Sequence, residues 1–156
     1  MPRSADTASF KFNHTMIRVK DPKASLHFYT EILGMDLISE MKNADFTLYF
    51  LAFDHGDGLS PEEKAHTRFS REGVLELTHN HGTESDPAFA GYASGNSEPG
   101  RGFGHLAITV ADVDAACARF EALGVPFKKR PSEGKMRNIA FILDPDGCVR
   151  PHQGNV

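Results

Sequence analysis

The chain contains an internal repeat, whose first copy reads His14-Thr-Met-Ile-Arg-Val-Lys-Asp-Pro-Lys-Ala24 and whose second copy reads His105-Leu-Ala-Ile-Thr-Val-Ala-Asp-Val-Asp-Ala115. The copies are 91 residues apart, counted from His14 to His105. Leu33-Gly34 and Leu123-Gly124 extend the match at an offset of 90 residues. Ordered matches of this length predict a duplicated structural unit.

Each copy predicts a strand followed by a helix. Alternation along the first strand places His14, Met16 and Arg18 on the face opposite its β-branched residues, and His105 has the same placement in the second copy. Each helix is expected to begin after an N-capping aspartate and to end at a glycine, which are Asp21 and Gly34 in the first copy and Asp112 and Gly124 in the second.

More strands are expected after each helix. They are predicted near 36–41, 46–53 and 74–79, then near 126–129 and 138–143, and after the turn Asp144-Pro-Asp-Gly147. The order β-α-β-β-β occurs twice, which predicts an α+β fold of two βαβββ repeats. Its sheets are expected to be mostly antiparallel, with helices on one face and a groove on the other.

The predicted organisation follows from the polar stretches. Residues 1–11 are expected to form a loose arm, 12–81 the first module, 82–102 a connecting loop, and 103–156 the second module. The polar, Gly-containing stretch 54–64 is also predicted to be a loop.

Composition excludes several classes of function. The 156 residues include 17 Lys and Arg against 21 Asp and Glu, so a net charge of −4 argues against binding to nucleic acid or an anionic membrane. Two cysteines, Cys117 and Cys148, cannot form a disulfide framework and fit a reducing compartment. No apolar run reaches membrane length, so we expect a cytoplasmic protein.

The groove face is predicted to carry two histidines and an acid. Alternation in the strand at 74–79 places Glu76 on one face, and an acid inside Val-Leu-Glu-Leu is costly to bury unless it is paired or bound to metal. His14, Glu76 and His105 could together hold Zn²⁺, Ni²⁺ or Fe²⁺. The alternative is that each histidine is an ordinary polar residue and that Glu76 pairs with Arg18.

The sequence resembles the glyoxalase I (lactoylglutathione lyase) family of the vicinal oxygen chelate superfamily, over roughly residues 12–147. The resembling segments, besides the two copies of the repeat, are Ser25-Leu-His-Phe-Tyr-Thr, Leu33-Gly-Met, Phe46-Thr-Leu-Tyr-Phe-Leu, Leu75-Glu-Leu-Thr-His-Asn, Arg101-Gly-Phe-Gly-His and Asp144-Pro-Asp-Gly.

The resemblance implies an activity and a site. Members of this family isomerise the hemithioacetal of methylglyoxal and glutathione through an enediolate, whose charge a divalent cation stabilises. His14, Glu76 and His105 match three metal ligands of the family. The family is homodimeric, with metal sites at the subunit interface, and the loops inserted here favour Zn²⁺ over Ni²⁺.

The resemblance also implies the residues that recognise glutathione. Arg18, Asn80 and Arg101 match those that hold the γ-glutamyl end, and Lys129, Lys135 and Met136 match those at the glycine end. Without the resemblance, these lysines are equally well interpreted as a solvated basic surface.

The chain departs from the family after Gly147. The family carries its fourth ligand and principal base, a glutamate, four residues after this glycine, where this chain has Pro151. An altered reading frame or alternative splicing would explain the abrupt change. We therefore expect reduced turnover, with Glu76 as the remaining base.

Two other functions fit the same residues. The chain could bind glutathione conjugates without turnover, because the glutamate of the last strand is missing. Two histidines and a carboxylate are also the ligands of non-heme iron oxygenases in this superfamily.

Overall fold

The computed structural model describes residues 4–54, 58–133, 135, 138–147 and 149–153, the last range by its backbone. The first half contains β1 (His14–Val19), α1 (Pro22–His27), β2 (Asp36–Lys42), β3 (Phe46–Ala52), α2 (Pro61–Thr67) and β4 (Val74–Asn80). The second half contains β5 (Leu106–Val110), α3 (Val113–Ala122), β6 (Phe127–Lys129), β7 (Phe141–Ile142) and β8 (Val149–Gln153).

The two halves have the same sheet topology. The strand order is β1-β4-β3-β2 in the first sheet and β5-β8-β7-β6 in the second. The first and last strands of each half pair in parallel, and the other described pairings are antiparallel. The predicted α+β fold of two βαβββ repeats with mostly antiparallel sheets is confirmed.

The core joins the two halves. Val19, Tyr29 and Leu77 from the first half form one apolar cluster with Phe120 and Ile142 from the second. Burial alternates along β1 as the sequence predicts. The face that carries His14 is exposed, and the opposite face is covered. The functional side chains are therefore displayed on the face of the sheet that points away from the core.

Both repeat helices begin with the predicted aspartate caps. The Asp21 side chain accepts from the backbone N–H of Lys23 at 2.8 Å, and the Asp112 side chain accepts from Ala115 at 2.9 Å. The first helix continues past His27 as a π-helical turn over 28–32, and Gly34 follows with φ of 80°. Within the described ranges, none of the helices is both long and apolar enough to traverse a bilayer.

The prediction of a loop over 54–64 is wrong at its end, because α2 begins at Pro61. The Ser60 hydroxyl accepts from the backbone N–H of Glu63 at 3.3 Å, and the Glu63 carboxylate accepts from the backbone N–H of Ser60 at 2.8 Å. This reciprocal cap, with proline at the first helical position, is a helix-start signal that the polar composition concealed.

The second sheet is less regular than the first. The strand predicted near 138–143 is reduced to β7, which pairs with β8 through Ile142 and Val149. The described pairing of β7 with β8 does not extend to Pro151, which lies opposite Ile108 of β5. Because proline has no backbone N–H, Pro151 cannot donate a hydrogen bond to a neighbouring strand.

Candidate metal and substrate site

The structure brings His14 and Glu76 together on the exposed face of the first sheet. Their strands pair in parallel with Met16 opposite Glu76, so the two side chains project from neighbouring strands. The His14 Nε2 atom lies 3.3 Å from Glu76 Oε2, with 35% and 13% of the two side chains exposed. Glu76, which lies between leucines in the sequence, was expected to be paired or bound to metal, and His14 is its partner in the structure.

Neighbouring groups restrict both side chains. The Thr78 hydroxyl donates to Glu76 Oε1 at 3.4 Å, and the His14 ring meets the Phe50 ring edge to face with centroids 6.2 Å apart. His14 Nδ1 lies 2.6 Å from the Asn13 side-chain oxygen. Sequence reasoning missed Asn13, although its place directly before His14 was visible.

The second half repeats the contact between histidine and phenylalanine. The His105 and Phe141 rings are 5.9 Å apart at 86°, against 84° for His14 and Phe50. Phe50 and Phe141 are separated by 91 residues, which is the separation of the two histidines. The duplication therefore includes the aromatic contact as well as the first strand of each module.

The structure does not bring His105 to the other two candidate ligands. Within the part of the chain that the structure describes, no three His, Cys, Asp or Glu side chains are grouped closely enough to hold a metal ion. His105 lies directly before β5 and lines a cavity of about 930 Å³, whose walls also include Thr15, Tyr29 and Phe120. One chain thus supplies two adjacent donors at one place and a third at another.

Strand β8 carries no acidic residue at the position that corresponds to Glu76 of the first sheet. Met16 lies opposite Glu76 in the first ladder, and its repeat equivalent Ala107 lies opposite Arg150 in the second. The family's glutamate lies four residues after the glycine that is Gly147 here, and that position in this chain is Pro151. Neither residue is an acid, and the sequence of β8 contains none.

The candidate residues for the γ-glutamyl end lie in three settings. Arg18 is exposed on β1 and opposite Thr78 in the ladder. Asn80, at the end of β4, accepts a hydrogen bond from the Tyr92 hydroxyl at 3.1 Å. Arg101 lies in the connecting loop, where its Nε is 2.6 Å from the carboxylate of Glu98.

The candidate residues for the glycine end are on the second module. The Lys129 ammonium donates to the backbone carbonyls of Arg130 at 3.1 Å and Ile139 at 3.3 Å. Lys135 is exposed, and Met136 lies outside the described residues.

The donors at the first sheet fit a divalent cation. An imidazole nitrogen and a carboxylate oxygen are ligands that zinc, nickel and ferrous iron all accept. They project from adjacent strands onto an open face, which leaves room for further donors. The described geometry therefore fits a metal site that has His14 and Glu76 as two of its ligands.

Comparison with known proteins places the chain in a family. Residues 11–149 match the Glyoxalase/Bleomycin resistance protein/Dioxygenase superfamily, to which this chain belongs. Among its relatives is a lactoylglutathione lyase from Pseudomonas putida, 54% identical over 90% of this chain and 83% of the relative. A lactoylglutathione lyase from Schizosaccharomyces pombe is 50% identical over 94% of this chain, which spans 48% of that longer protein.

Solved structures lead to the same family. The glyoxalase I of Leishmania major matches with a TM-score of 0.68 at 32% identity, covering 93% of this chain and 87% of that one. The glyoxalase I of Zea mays matches with a TM-score of 0.68 at 28% identity, covering 94% of this chain and 45% of that one.

Proposed function

We propose that this chain is a lactoylglutathione lyase, which isomerises the hemithioacetal of methylglyoxal and glutathione to S-lactoylglutathione. The observation that carries the proposal is the 54% identity to the Pseudomonas putida lactoylglutathione lyase across nine-tenths of this chain. The adjacent His14 and Glu76 side chains support it independently, because the reaction needs a cation site and a base at one place.

The proposed site holds Zn²⁺, with Ni²⁺ as the alternative. His14 and Glu76 contribute two donors, and His105 of a second copy contributes the third, so the working form is a homodimer. We place this homodimer in the cytoplasm. Such a cation would supply charge stabilisation for the enediolate that forms when the substrate loses its proton. A ligand from a second copy is proposed because, within the described residues of one chain, His105 is not grouped with His14 and Glu76.

Glu76 is the proposed proton carrier. Its Oε2 faces His14, and its Oε1 accepts from the Thr78 hydroxyl, which fixes the plane of the carboxylate. The opposite acid is missing from β8, so one of two proton-transfer groups is lost. Because a positioned general base contributes roughly 10²- to 10⁴-fold, we expect turnover well below that of an enzyme with both acids.

The proposed substrate contacts follow the charges of glutathione. Arg18, Asn80 and Arg101 would bind the γ-glutamyl end, and Lys129, Lys135 and Met136 the glycine end. Arginine forks suit carboxylates, and exposed Arg18 lies on the same strand face as His14. Arg101 would exchange its exposed partner Glu98 for substrate.

A second candidate function is favoured by the absence of an acid from β8. The chain would then bind glutathione conjugates without converting them. An activity assay and a binding measurement on the same preparation separate the two functions.

The test begins with metal analysis of the purified protein and with zinc reconstitution. Hemithioacetal isomerisation is then followed by the absorbance of the thioester product. Binding of an S-alkylglutathione is measured by calorimetry. Glu76→Gln is the site variant, and Glu72→Gln, an exposed acid ahead of β4, is the matched control.

Three results are informative. Zinc-dependent isomerisation would support the lyase if Glu76→Gln abolishes it and Glu72→Gln leaves it unchanged. Conjugate binding with no isomerisation would support the binder. Protein that takes up no metal and binds no conjugate would contradict both functions.

A further inference from the structure

Asn13 links the candidate metal site to the segment that follows α2. Its side-chain amide nitrogen donates to the backbone carbonyls of Arg68 and Arg71, each at 2.8 Å. Its side-chain oxygen lies 2.6 Å from His14 Nδ1. One partly buried amide therefore makes three contacts, two of them to main chain.

These contacts determine which way the amide points. A carbonyl oxygen accepts hydrogen bonds and cannot donate them, so the Asn13 group facing two carbonyls has to be the NH₂. The remaining atom, which faces His14, is then the oxygen. Because an amide oxygen only accepts, the imidazole nitrogen next to it carries a hydrogen.

The opposite side of the ring faces a competing acceptor. His14 Nε2 is 3.3 Å from the Glu76 carboxylate, and this carboxylate would draw the ring hydrogen to Nε2 if nothing held it at Nδ1. The contact to Asn13 is shorter by 0.7 Å, taking 3.3 Å less 2.6 Å. Phe50, edge to face with the imidazole, restricts rotation of the ring away from this arrangement.

We propose that Asn13 is a positioning residue that holds the hydrogen of His14 on Nδ1. The nitrogen on the Glu76 side, Nε2, is thereby left without a hydrogen and free to bind a metal ion through its lone pair. The consequence for metal binding rests on the proposed function, but the assignment of the hydrogen does not. Outer partners of this kind set the tautomer and orientation of ligating histidines.

The anchor of Asn13 is itself held in place. The Arg71 guanidinium and the Lys64 ammonium both approach the Asp54 carboxylate, which is nearly buried, at 3.7 Å and 2.7 Å. The segment that carries the two acceptor carbonyls is thereby tied to the end of β3. At the repeat position in the second half stands Gly104, which has no side chain, so this device belongs to the first module alone.

The experiment measures the His14 ring directly. Two-bond ¹⁵N correlation spectra, recorded on metal-free protein at a pH where the ring is neutral, report which nitrogen carries the hydrogen. The variants are Asn13→Ala, which removes the acceptor, and Asn13→Asp, which keeps an oxygen acceptor. Asn43→Ala, in the turn between β2 and β3, is the matched control, and zinc affinity is measured on each protein by chelator competition.

The expected spectra show Nδ1–H at His14 in the wild type, in Asn13→Asp and in Asn43→Ala, and a shift toward Nε2–H in Asn13→Ala. Zinc binding of Asn13→Ala is expected to weaken about 10- to 100-fold. An Nε2–H ring in the wild type, or a ring in Asn13→Ala that matches the wild type, would overturn the proposal.

The two proposals fail separately. If the wild type binds no zinc while the ring hydrogen moves as expected in Asn13→Ala, the assignment to Asn13 holds and the metal-dependent function fails. If the wild type isomerises the hemithioacetal and Asn13→Ala leaves the ring unchanged, the function holds and the role of Asn13 is refuted.

Discussion

The hydroxyl of Tyr29 donates to the carboxylate of Asp144 at 2.6 Å, from the first half of the chain to the second. Tyr29 is fully buried and Asp144 is 6% exposed, so this hydrogen bond lies almost entirely away from solvent. Asp146, two residues on, accepts from the backbone N–H of Lys20 at 3.1 Å and from the Ser25 hydroxyl at 3.4 Å. The turn that precedes β8 is thus fastened to the first helix by two carboxylates.

We predict that Tyr29→Phe destabilises the protein by about 1 to 3 kcal/mol, because it leaves a buried carboxylate oxygen without this donor. The free energy of unfolding in urea measures the change. Tyr92→Phe, which removes the hydroxyl that donates to Asn80 in a partly buried setting, is the control and should cost less. Equal losses in the two variants would contradict the importance of the buried contact.

The fold was predictable where the repeat is explicit and less so elsewhere. Strand alternation and the aspartate caps around the two histidines fix the first strand and helix of each module, because both signals act over a few residues. The helix α2 was missed because its polar residues hide a capping box at Ser60. The short strand β7 pairs with β8 through Ile142 and Val149, and local sequence does not report pairing of this kind.

A second prediction concerns acid stability. The hydrogen bond from Lys64, together with the nearby Arg71 guanidinium, holds the pKa of Asp54 below its ordinary value. An acid whose pKa is lowered by folding stabilises the protein above its unfolded-state pKa, and this contribution is lost as pH falls through the folded-state pKa. Asp54→Asn should therefore be less stable than the wild type at pH 7.

The difference in unfolding free energy between Asp54→Asn and the wild type should narrow as the pH falls into the range in which carboxylates protonate. Urea unfolding at several pH values measures it. Asp36→Asn changes a more exposed carboxylate that contacts the same lysine, and its effect should be smaller. A difference for Asp54→Asn that stays constant with pH would show that the charge is not responsible.

The candidate site was predictable in part. Alternation placed His14 and Glu76 on one face, and the parallel pairing of β1 with β4 makes them neighbours. Asn13 was missed because its role depends on two carbonyls that follow α2, which are remote in sequence. Whether His105 completes the site remains a prediction, because the proposed site would join it to His14 and Glu76 of a second copy. Sequence patterns within one chain do not report contacts between copies.

The third prediction tests the proposed binding of the γ-glutamyl carboxylate. Arg18→Gln removes an exposed guanidinium on the His14 face and should weaken S-alkylglutathione binding about 10- to 100-fold, since a hydrogen bond to a charged group contributes roughly 1.5 to 3 kcal/mol. Calorimetry measures the change. Lys23→Gln removes the same charge from an exposed position on α1 and should leave the affinity unaltered. Equal weakening in both variants would indicate a general effect of net charge.

The last prediction restores an acid to β8. Counting from Gly147 predicts that Pro151 occupies the position of the missing base, whereas the ladder places Arg150 opposite Ala107. We therefore expect Pro151→Glu, combined with apolar residues before it, to raise kcat by about 10²-fold or more, because it returns both a proton carrier and a backbone N–H. The variant is assayed for hemithioacetal isomerisation after zinc loading.

Pro151→Gln in the same background is the control for this variant, because it restores the N–H and the side-chain length without a carboxylate. Arg150→Glu with its own Arg150→Gln control tests the position that the ladder indicates. A gain confined to the glutamate at one of the two positions would identify the strand register that the reaction needs. Glutamate variants no faster than their glutamine counterparts at both positions would show that the missing acid does not limit turnover.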